Sequence, residues 1–351
     1  MSPANTPERK LRFNLFEFAP HELSHSAFFA WLLEHADPNA PGPPELRGIA
    51  KRILRKAKAP RLHGTLEVGT EHSSGSFRFD IYIRDQKNQI VVIENKVSAI
   101  ASKDQVQNYK IALPGAHLAL ISVAFDLDRD ALPCPSLNVE DLLGQMRLDS
   151  GAHPLIADYV AWLDRLTQKR DKLRELIRSE DYPERALKEP EGQWFLMQEI
   201  TCCLAGNLYR GSSRGAPWTQ FGFTLGPGEG ETDNLFYRID HSRKGWYFAL
   251  RQFQHTPYPN IDAKLKRLER LRRWWQEALG AVGSDLRAMH WTGKGKKEST
   301  VAIFDLKRNP PRLLKAEIKA VHHEFLEVLQ REGWPVEHSP SQNVNLDRPS
   351  S

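Results

Sequence analysis

Cysteine is scarce in this chain: three in 351 residues, Cys134, Cys202 and Cys203, two of them adjacent. None has the spacing of a structural zinc site, and so small a set indicates no disulfide framework. No apolar run approaches the roughly 18 residues that a bilayer-spanning helix requires. The start, Met1-Ser2-Pro3-Ala4-Asn5, lacks the basic-then-apolar layout of a signal peptide. The expectation is a soluble, cytoplasmic protein. Internal repeats and low-complexity tracts are missing, as are helix-turn-helix, zinc-finger and Walker signatures. Gly226-Pro227-Gly228-Glu229-Gly230 lacks the Gly-Lys-Ser/Thr ending of a phosphate-binding loop and reads as an ordinary loop.

What is present suffices for packed cores. Apolar residues make up 40% of the chain, charged residues 26%, and the net charge is +5. The excess of positive charge is a weak pointer to a polyanionic partner. The length predicts two domains. From Pro20 to Glu34, Leu23, Ala27, Phe28, Ala30, Trp31 and Leu32 recur at helical spacing, and the Pro41-Gly42-Pro43-Pro44 run follows. A second helix is expected at about 45–57. The period then changes to two: Leu66 and Val68, a turn at Ser73–Ser76, Phe77, Phe79, Ile81 and Ile83, a turn at 85–88, and the strand 90–95. A helix over about 102–112 and a short apolar strand, His117 to Val123, complete a mixed sheet of α/β, α+β-like character. Further helices are expected from Val139 and over 154–180. Pro183 and Pro190-Glu191-Gly192 mark a linker, which places the domains at 1–188 and 189–351. The second is expected to be α+β: a helix over Gln193–Leu208, antiparallel strands in 217–254, a basic helix Ala263–Leu279, a hairpin at 288–305 and a last helix at 313–330.

Chemistry concentrates at residues 77–109. Asp80 lies on one strand, and Glu94-Asn95-Lys96 closes the next after a four-residue apolar run. Alternation puts Glu94 and Lys96 on one face and Asn95 on the other, with Asp80 opposite Phe79 and Ile81 in facing. If the two strands pair through the turn at 85–88, Asp80 and Glu94 meet as oxygen ligands for one magnesium ion, which favours one or two carboxylates plus water and phosphate. Lys96 would orient the attacking water or stabilise the phosphorane; both roles need a cation there. A Glu-x-Lys arises by chance roughly once or twice in a chain of this length, and Glu8-Arg9-Lys10 and Glu317-Ile318-Lys319 are such cases. The latter lies in a helical pattern, where i and i+2 share no face.

Together these residues resemble the PD-(D/E)XK nuclease superfamily, with Asp80, then Glu94-Asn95-Lys96. Gln105 and Tyr109 are similar to the Gln-x-x-x-Tyr element of RecB-type members. The segment from Asn14-Leu15-Phe16-Glu17 to Trp31-Leu32-Leu33-Glu34 resembles the start of one uncharacterised bacterial branch. Phe79, not proline, precedes Asp80, a departure that many members share. The resemblance covers about residues 14–125 and implies a restriction-endonuclease-like core. It implies metal binding (Mg²⁺ or Mn²⁺) by Asp80 and Glu94 and catalysis by Lys96. Gln105 and Tyr109 would contact phosphate or brace the site. Glu22 matches a position that supplies an extra ligand or its orienting partner, the plain alternative being a helix-start glutamate favoured by the dipole. Glu67 is a further candidate ligand, against a solvated strand face. His21 and His25 share a helix face, as structural histidines more often than ligands do.

Three basic clusters are candidates for phosphate contact: Lys51–Arg61, Lys264–Arg273, and Lys294–Lys297 with Lys307-Arg308. In the second, Leu265, Leu268 and Leu271 form the expected buried stripe. Trp246, Trp274, Trp275 and Trp291 read as core of the second domain. The functional expectation is a metal-dependent nuclease acting on nucleic acid, most simply DNA. Its rivals are a catalytically silent nucleic-acid-binding or scaffolding protein of the same fold, and an RNA-directed nuclease.

Overall fold

The computed structural model describes residues 14–19, 21–74, 77–97, 103–125, 133–179, 184–213, 216–223, 233–242, 245–254, 261–288 and 298–334. The Gly226–Gly230 loop, Pro183, Trp291 and Lys294–Lys297 lie outside the described residues. The chain divides into two compact units, Met1–Lys169 and Arg170–Ser351.

In the first unit, α1 (Leu15–Phe18), α2 (Glu22–Glu34) and α3 (Pro44–Lys56) precede β1 (Leu66–Ser74), β2 (Phe77–Asp85) and β3 (Ile90–Lys96). Then come α4 (Lys103–Ala112), β4 (His117–Ser122), β5 (Ser136–Leu137), α5 (Val139–Met146) and the long α6 (Pro154–Arg178). Strand order is β1-β2-β3-β4-β5. The first three strands pair antiparallel and the last three parallel. The switch falls on β3, because a tight turn joins it to β2 whereas α4 carries the crossover to β4. In α3, Leu46, Ile49, Ala50, Ile53 and Leu54 are buried at helical spacing, with Pro44 at the first position, where its missing N–H costs nothing.

Two apolar clusters sandwich this sheet. One joins Phe28, Phe29, Leu32 and Leu33 of α2 to Ile81, Ile83, Val91 and Ile93. The other gathers Phe79, Tyr82, Val92 and Leu118 around Val106 and Tyr109 of α4. Two expectations need correcting. Leu23 is 52% exposed; the inward face of α2 instead includes His25 and Ser26. Phe79 does not share a cluster with Ile81, and its ring meets Tyr109 at 4.9 Å. The alternation of β2 therefore breaks at Asp80. Across the hairpin, between the pairs Thr70–Ile81 and His72–Phe79, Glu71 holds the left-handed conformation, φ 54°, which side-chain-bearing residues rarely adopt.

The division between the two compact units falls inside α6. The last turns of α6 engage the following helix, α7 (Pro190–Thr201): Arg174 lies 4.4 Å over the Phe195 ring and Arg178 pairs with Glu199 at 2.7 Å. Part of this charged helix face therefore packs on α7. Beyond α7 come β6 (Asn207–Ser213), β7 (Ala216–Phe223), β8 (Asp233–Ser242), β9 (Gly245–Gln254), α8 (Ile261–Ala281), β10 (Glu298–Asp305) and α9 (Pro311–Arg331). They form an antiparallel sheet, β10-β9-β8-β7-β6, with helix packing on α7, α8 and α9.

α7 stops at Thr201, short of the expected Leu208, because Asn207 and Leu208 already pair with Gly222 and Phe221 of β7. Of the hairpin expected at 288–305, the described part is one strand, β10, paired along β9. Trp246, Trp274 and Trp275 are buried. Within α8, Lys264 is buried, Arg267 lies 3.9 Å over the Trp334 ring and Arg272 donates to the Thr300 carbonyl. That leaves Lys266, Arg270 and Arg273 exposed, half of the basic face expected from the sequence.

Each unit buries a histidine against a tyrosine hydroxyl: His25 Nδ1 with Tyr159 at 3.3 Å, and His322 Nδ1 with Tyr237 at 2.9 Å. Burial lowers both imidazoles to about 4. They are neutral when folded, whereas an unfolded histidine takes its proton near 6.5. Stability is therefore complete above pH 6.5 and is lost as the pH falls towards 4, by up to roughly 3 kcal/mol for each. Urea midpoints between pH 7.5 and 4.5 should fall accordingly, and His322→Gln should flatten the slope of the second unit.

Candidate active site

The end of β3 is buried: Glu94, Asn95 and Lys96 are all at or below 9% exposure. Alternation sends Asn95 towards α2 and its neighbours towards α4. Asn95 Nδ2 donates to the Glu22 carbonyl at 3.1 Å and to Ser26 Oγ at 3.1 Å, while Ser26 Oγ donates to the same carbonyl at 2.9 Å. This joint explains why a polar face of α2 turns inward.

On the other face, Glu94 is the hub. Its Oε1 accepts from Gln105 Nε2 at 2.6 Å and pairs with Lys96 Nζ; its Oε2 accepts from the Tyr109 hydroxyl at 2.8 Å. Gln105 Nε2 also reaches the Tyr109 oxygen at 2.9 Å, and that oxygen lies 3.1 Å from the Arg78 carbonyl. Residues 105 and 109 stand one turn apart on α4, so both reach one carboxylate from the same side. Burying Glu94 without such partners would cost several kcal/mol.

Asp80 completes the group. The registered pairing of β2 with β3 ends at Ile81–Ile93, and one step further Asp80 Oδ2 accepts the Asn95 backbone N–H at 2.8 Å. The carboxylate thus takes over an amide that the ladder leaves unpaired. Asp80 Oδ1 has no hydrogen-bond partner among the described residues. Burial, then the Glu94 charge, pushes the Asp80 carboxyl up to about 6, against the Asn95 N–H and Lys96, which pull it down. Burial alone would lower Lys96, but the hydrogen bond and charge of Glu94, with Asp80 and Glu22, hold it above its ordinary value. The Tyr109 hydroxyl is raised by burial and by the Glu94 charge. At neutral pH, Lys96 is therefore a cation and Tyr109 a proton donor.

Of the residues named from the sequence, Asp80, Glu94, Lys96, Gln105 and Tyr109 come together. Glu22 reaches the margin: its Oε1 accepts the Val97 N–H at 3.3 Å, and its charge acts on Asp80 and Lys96. Glu67 does not join them; it pairs with Arg84 across β1 and β2 on an exposed face. Sequence reading gave Asn95 and Ser26 no role. The signal was there: Asn95 occupies the position that alternation turns into a core face, where a polar side chain needs partners.

Two carboxylates and a backbone-rich strand end suit a hard cation with few protein ligands. Oε1 of Glu94 is doubly engaged, but Oε2 accepts once and keeps acceptor capacity, as does Asp80 Oδ1. The donor set therefore fits a divalent ion, although no cluster of three or more His, Cys, Asp or Glu side chains is placed to hold one among the described residues.

A mixed sheet with a buried Glu94–Lys96 pair at its switch strand, Asp80 on the neighbouring strand and α4 above them is a restriction-endonuclease-like domain. Residues 13–131 match the family model of the PD-(D/E)XK nuclease superfamily, a stretch that contains every residue of the cluster and stops short of the second unit. That segment is a PD-(D/E)XK superfamily domain, and it suggests a nuclease. No curated protein and no solved structure matches the chain. Among the described residues, no helix is long and apolar enough to cross a membrane.

The unbalanced acids carry a stability cost. Asp80→Asn should raise the melting temperature in EDTA at pH 8 by about 2–4 °C, as a gain of roughly 1 kcal/mol would. The gain should shrink towards pH 5, where wild-type Asp80 takes up its own proton. Thermal melts at the two pH values check this.

Proposed function

We propose that the first unit is a Mg²⁺- or Mn²⁺-dependent nuclease that hydrolyses phosphodiester bonds in DNA. The observation that carries this reading is the pair Asp80 and Glu94: two carboxylates, one pushed up to about 6, beside the Lys96 ammonium. Asp80 and Glu94 would hold the ion, which when bound activates water and offsets the charge developing on the phosphate. Gln105 and Tyr109 fix the Glu94 carboxylate, as outer partners of a metal ligand do. Lys96 stays protonated, so it takes no proton; it places positive charge where the phosphorane forms. Asn95 holds β3 to α2 and gives Asp80 its hydrogen bond, which keeps the two acids facing each other.

The net charge of +5 and the exposed Lys51, Arg55, Lys58 and Arg61 support a polyanionic substrate; such contacts give salt-sensitive, sequence-blind affinity. Arg52 and Lys56 of the same cluster are instead paired with Asp149 and Asp141. DNA as substrate, a cytoplasmic location and a role against foreign DNA belong to this proposal, the last by fold analogy alone.

The test is cleavage of supercoiled plasmid, linear duplex, single-stranded DNA and RNA with Mg²⁺, Mn²⁺ or EDTA. Wild type should cut DNA only with metal, and Lys96→Ala should lower the rate by about 10²–10³-fold. Mg²⁺ or Mn²⁺ should also raise the melting temperature of wild type but not of Asp80→Ala. Equal cutting by wild type and Lys96→Ala would remove the lysine from the mechanism. Cutting of RNA alone would reassign the substrate.

A further inference from the structure

Asp80, Glu94 and Lys96 gather where β3 ends; a block of exposed positive charge gathers where β3 begins. Between Glu45 and Glu67 the sequence has no acid and seven cations. Three of these are occupied within the fold: Arg47 donates to the Pro38 carbonyl at 3.0 Å, Arg52 pairs with Asp149, and Lys56 pairs with Asp141. The other four, Lys51, Arg55, Lys58 and Arg61, are exposed. None of the four has a side-chain hydrogen bond or ion pair among the described residues.

Contacts fix where this charge lies. His117 Nε2 reaches the Ala57 carbonyl at 2.8 Å, and His117 pairs with Val91 at the start of β3. The His63 carbonyl accepts the Gln86 N–H at 3.3 Å, and Asp85 accepts the His63 N–H at 2.9 Å. Lys58 and Arg61 therefore flank the turn between β2 and β3, whose Lys87 is exposed as well. Lys51 and Arg55, one turn apart, carry the charge onward along one face of α3. Asp85 and Glu67, the acids of β2 and β1 at this end, are engaged. Asp85 is buried and accepts the N–H groups of His63, Lys87 and Gln89, and Glu67 pairs with Arg84.

Val91 and Lys96 are five residue steps apart, about 16 Å along the strand. One strand of a duplex places a phosphate about every 3.4 Å along its axis. The cations thus stand roughly five nucleotide steps from the acids.

We propose that this end of the first unit is an exosite for the nucleic-acid backbone. Lys51, Arg55, Lys58, Arg61 and Lys87 hold phosphates about five or more nucleotides from the bond that is cut. The choice of partner rests on the nuclease reading, to which the exosite adds a dependence on substrate length. Phosphate contacts carry no sequence information, so the site favours long substrates of any sequence.

Binding is measured in EDTA, where no strand is cut, so this arm stands or falls apart from catalysis. The full chain is titrated with a fluorescein-labelled 30-base-pair DNA duplex over a series of KCl concentrations. The variant Lys58→Gln/Arg61→Gln/Lys87→Gln runs beside a charge-matched control, Lys172→Gln/Lys266→Gln/Lys319→Gln, whose lysines are exposed in the second unit. The exosite variant should bind more weakly, with the slope of log K against log [KCl] reduced by about 2–3, and the control should not. With Mg²⁺, it should raise KM for the duplex while leaving kcat, and the cutting of a hairpin with a four-base-pair stem, unchanged. Equal binding by wild type and the exosite variant overturns the proposal, as does an equal loss in the control. Binding of phosphatidylserine vesicles without binding of the duplex overturns it too, and makes this end a membrane contact. Duplex binding that behaves as expected, with no cutting of any substrate, sustains the exosite and removes the nuclease reading alone.

Discussion

A charged carboxylate inside a protein is tolerated only with full hydrogen bonding and an opposite charge, and Glu94 sets that condition for the first unit. Its ammonium partner comes from two residues further along the same strand, its neutral donors from one face of α4. Neither source is optional: a buried charge left unpaired costs roughly 3–5 kcal/mol. The position of α4 over the sheet is thus coupled to the chemistry at the strand end. The crossover that makes β3 and β4 parallel is the same segment that delivers Gln105 and Tyr109.

The opposite face of β3 obeys a matching constraint. Asn95 cannot rest among aliphatic side chains without partners, and α2 provides them through a backbone carbonyl and Ser26. Because Asn95 also gives its backbone N–H to Asp80, one residue links helix, strand and neighbouring acid. The strand end is held from both faces, which suits a site that must keep two like charges close without collapsing or splaying.

Much of this was legible in the sequence. Period-two alternation and turn residues located β1 to β3, and the spacing of Gln105 and Tyr109 put them on one helix face. Asp80, Glu94 and Lys96 stood out because an acid and a Glu-x-Lys ended adjacent strands. What was hidden depended on partners distant in the chain. Ser26 and His25 look like surface residues until Asn95 and Tyr159 are known, so Leu23 was wrongly turned inward. Phe79 follows the alternation of its strand on paper, and only the conformation at Glu71 and the ring of Tyr109 show where the pattern breaks. The two-residue β5 is too short to have a period. The basic run of α8 looked uniformly exposed because helical spacing cannot foresee that Trp334 and the Thr300 carbonyl take up two of its arginines.

The two units group their charged side chains differently. In the first, two carboxylates, Asp80 and Glu94, lie beside the Lys96 ammonium, and burial, then the Glu94 charge, pushes the Asp80 carboxyl up to about 6. In the second, two guanidiniums, Arg238 and Arg251, share one carboxylate, Asp240. Replacing a buried ion pair by apolar side chains is often neutral or stabilising, so folding alone gives little reason to keep two acids at the β3 strand end. Two carboxylates brought this close suit a cation between them. On the proposed reading, a divalent ion held between Asp80 and Glu94 would relieve the repulsion that the fold leaves in place at the end of β3.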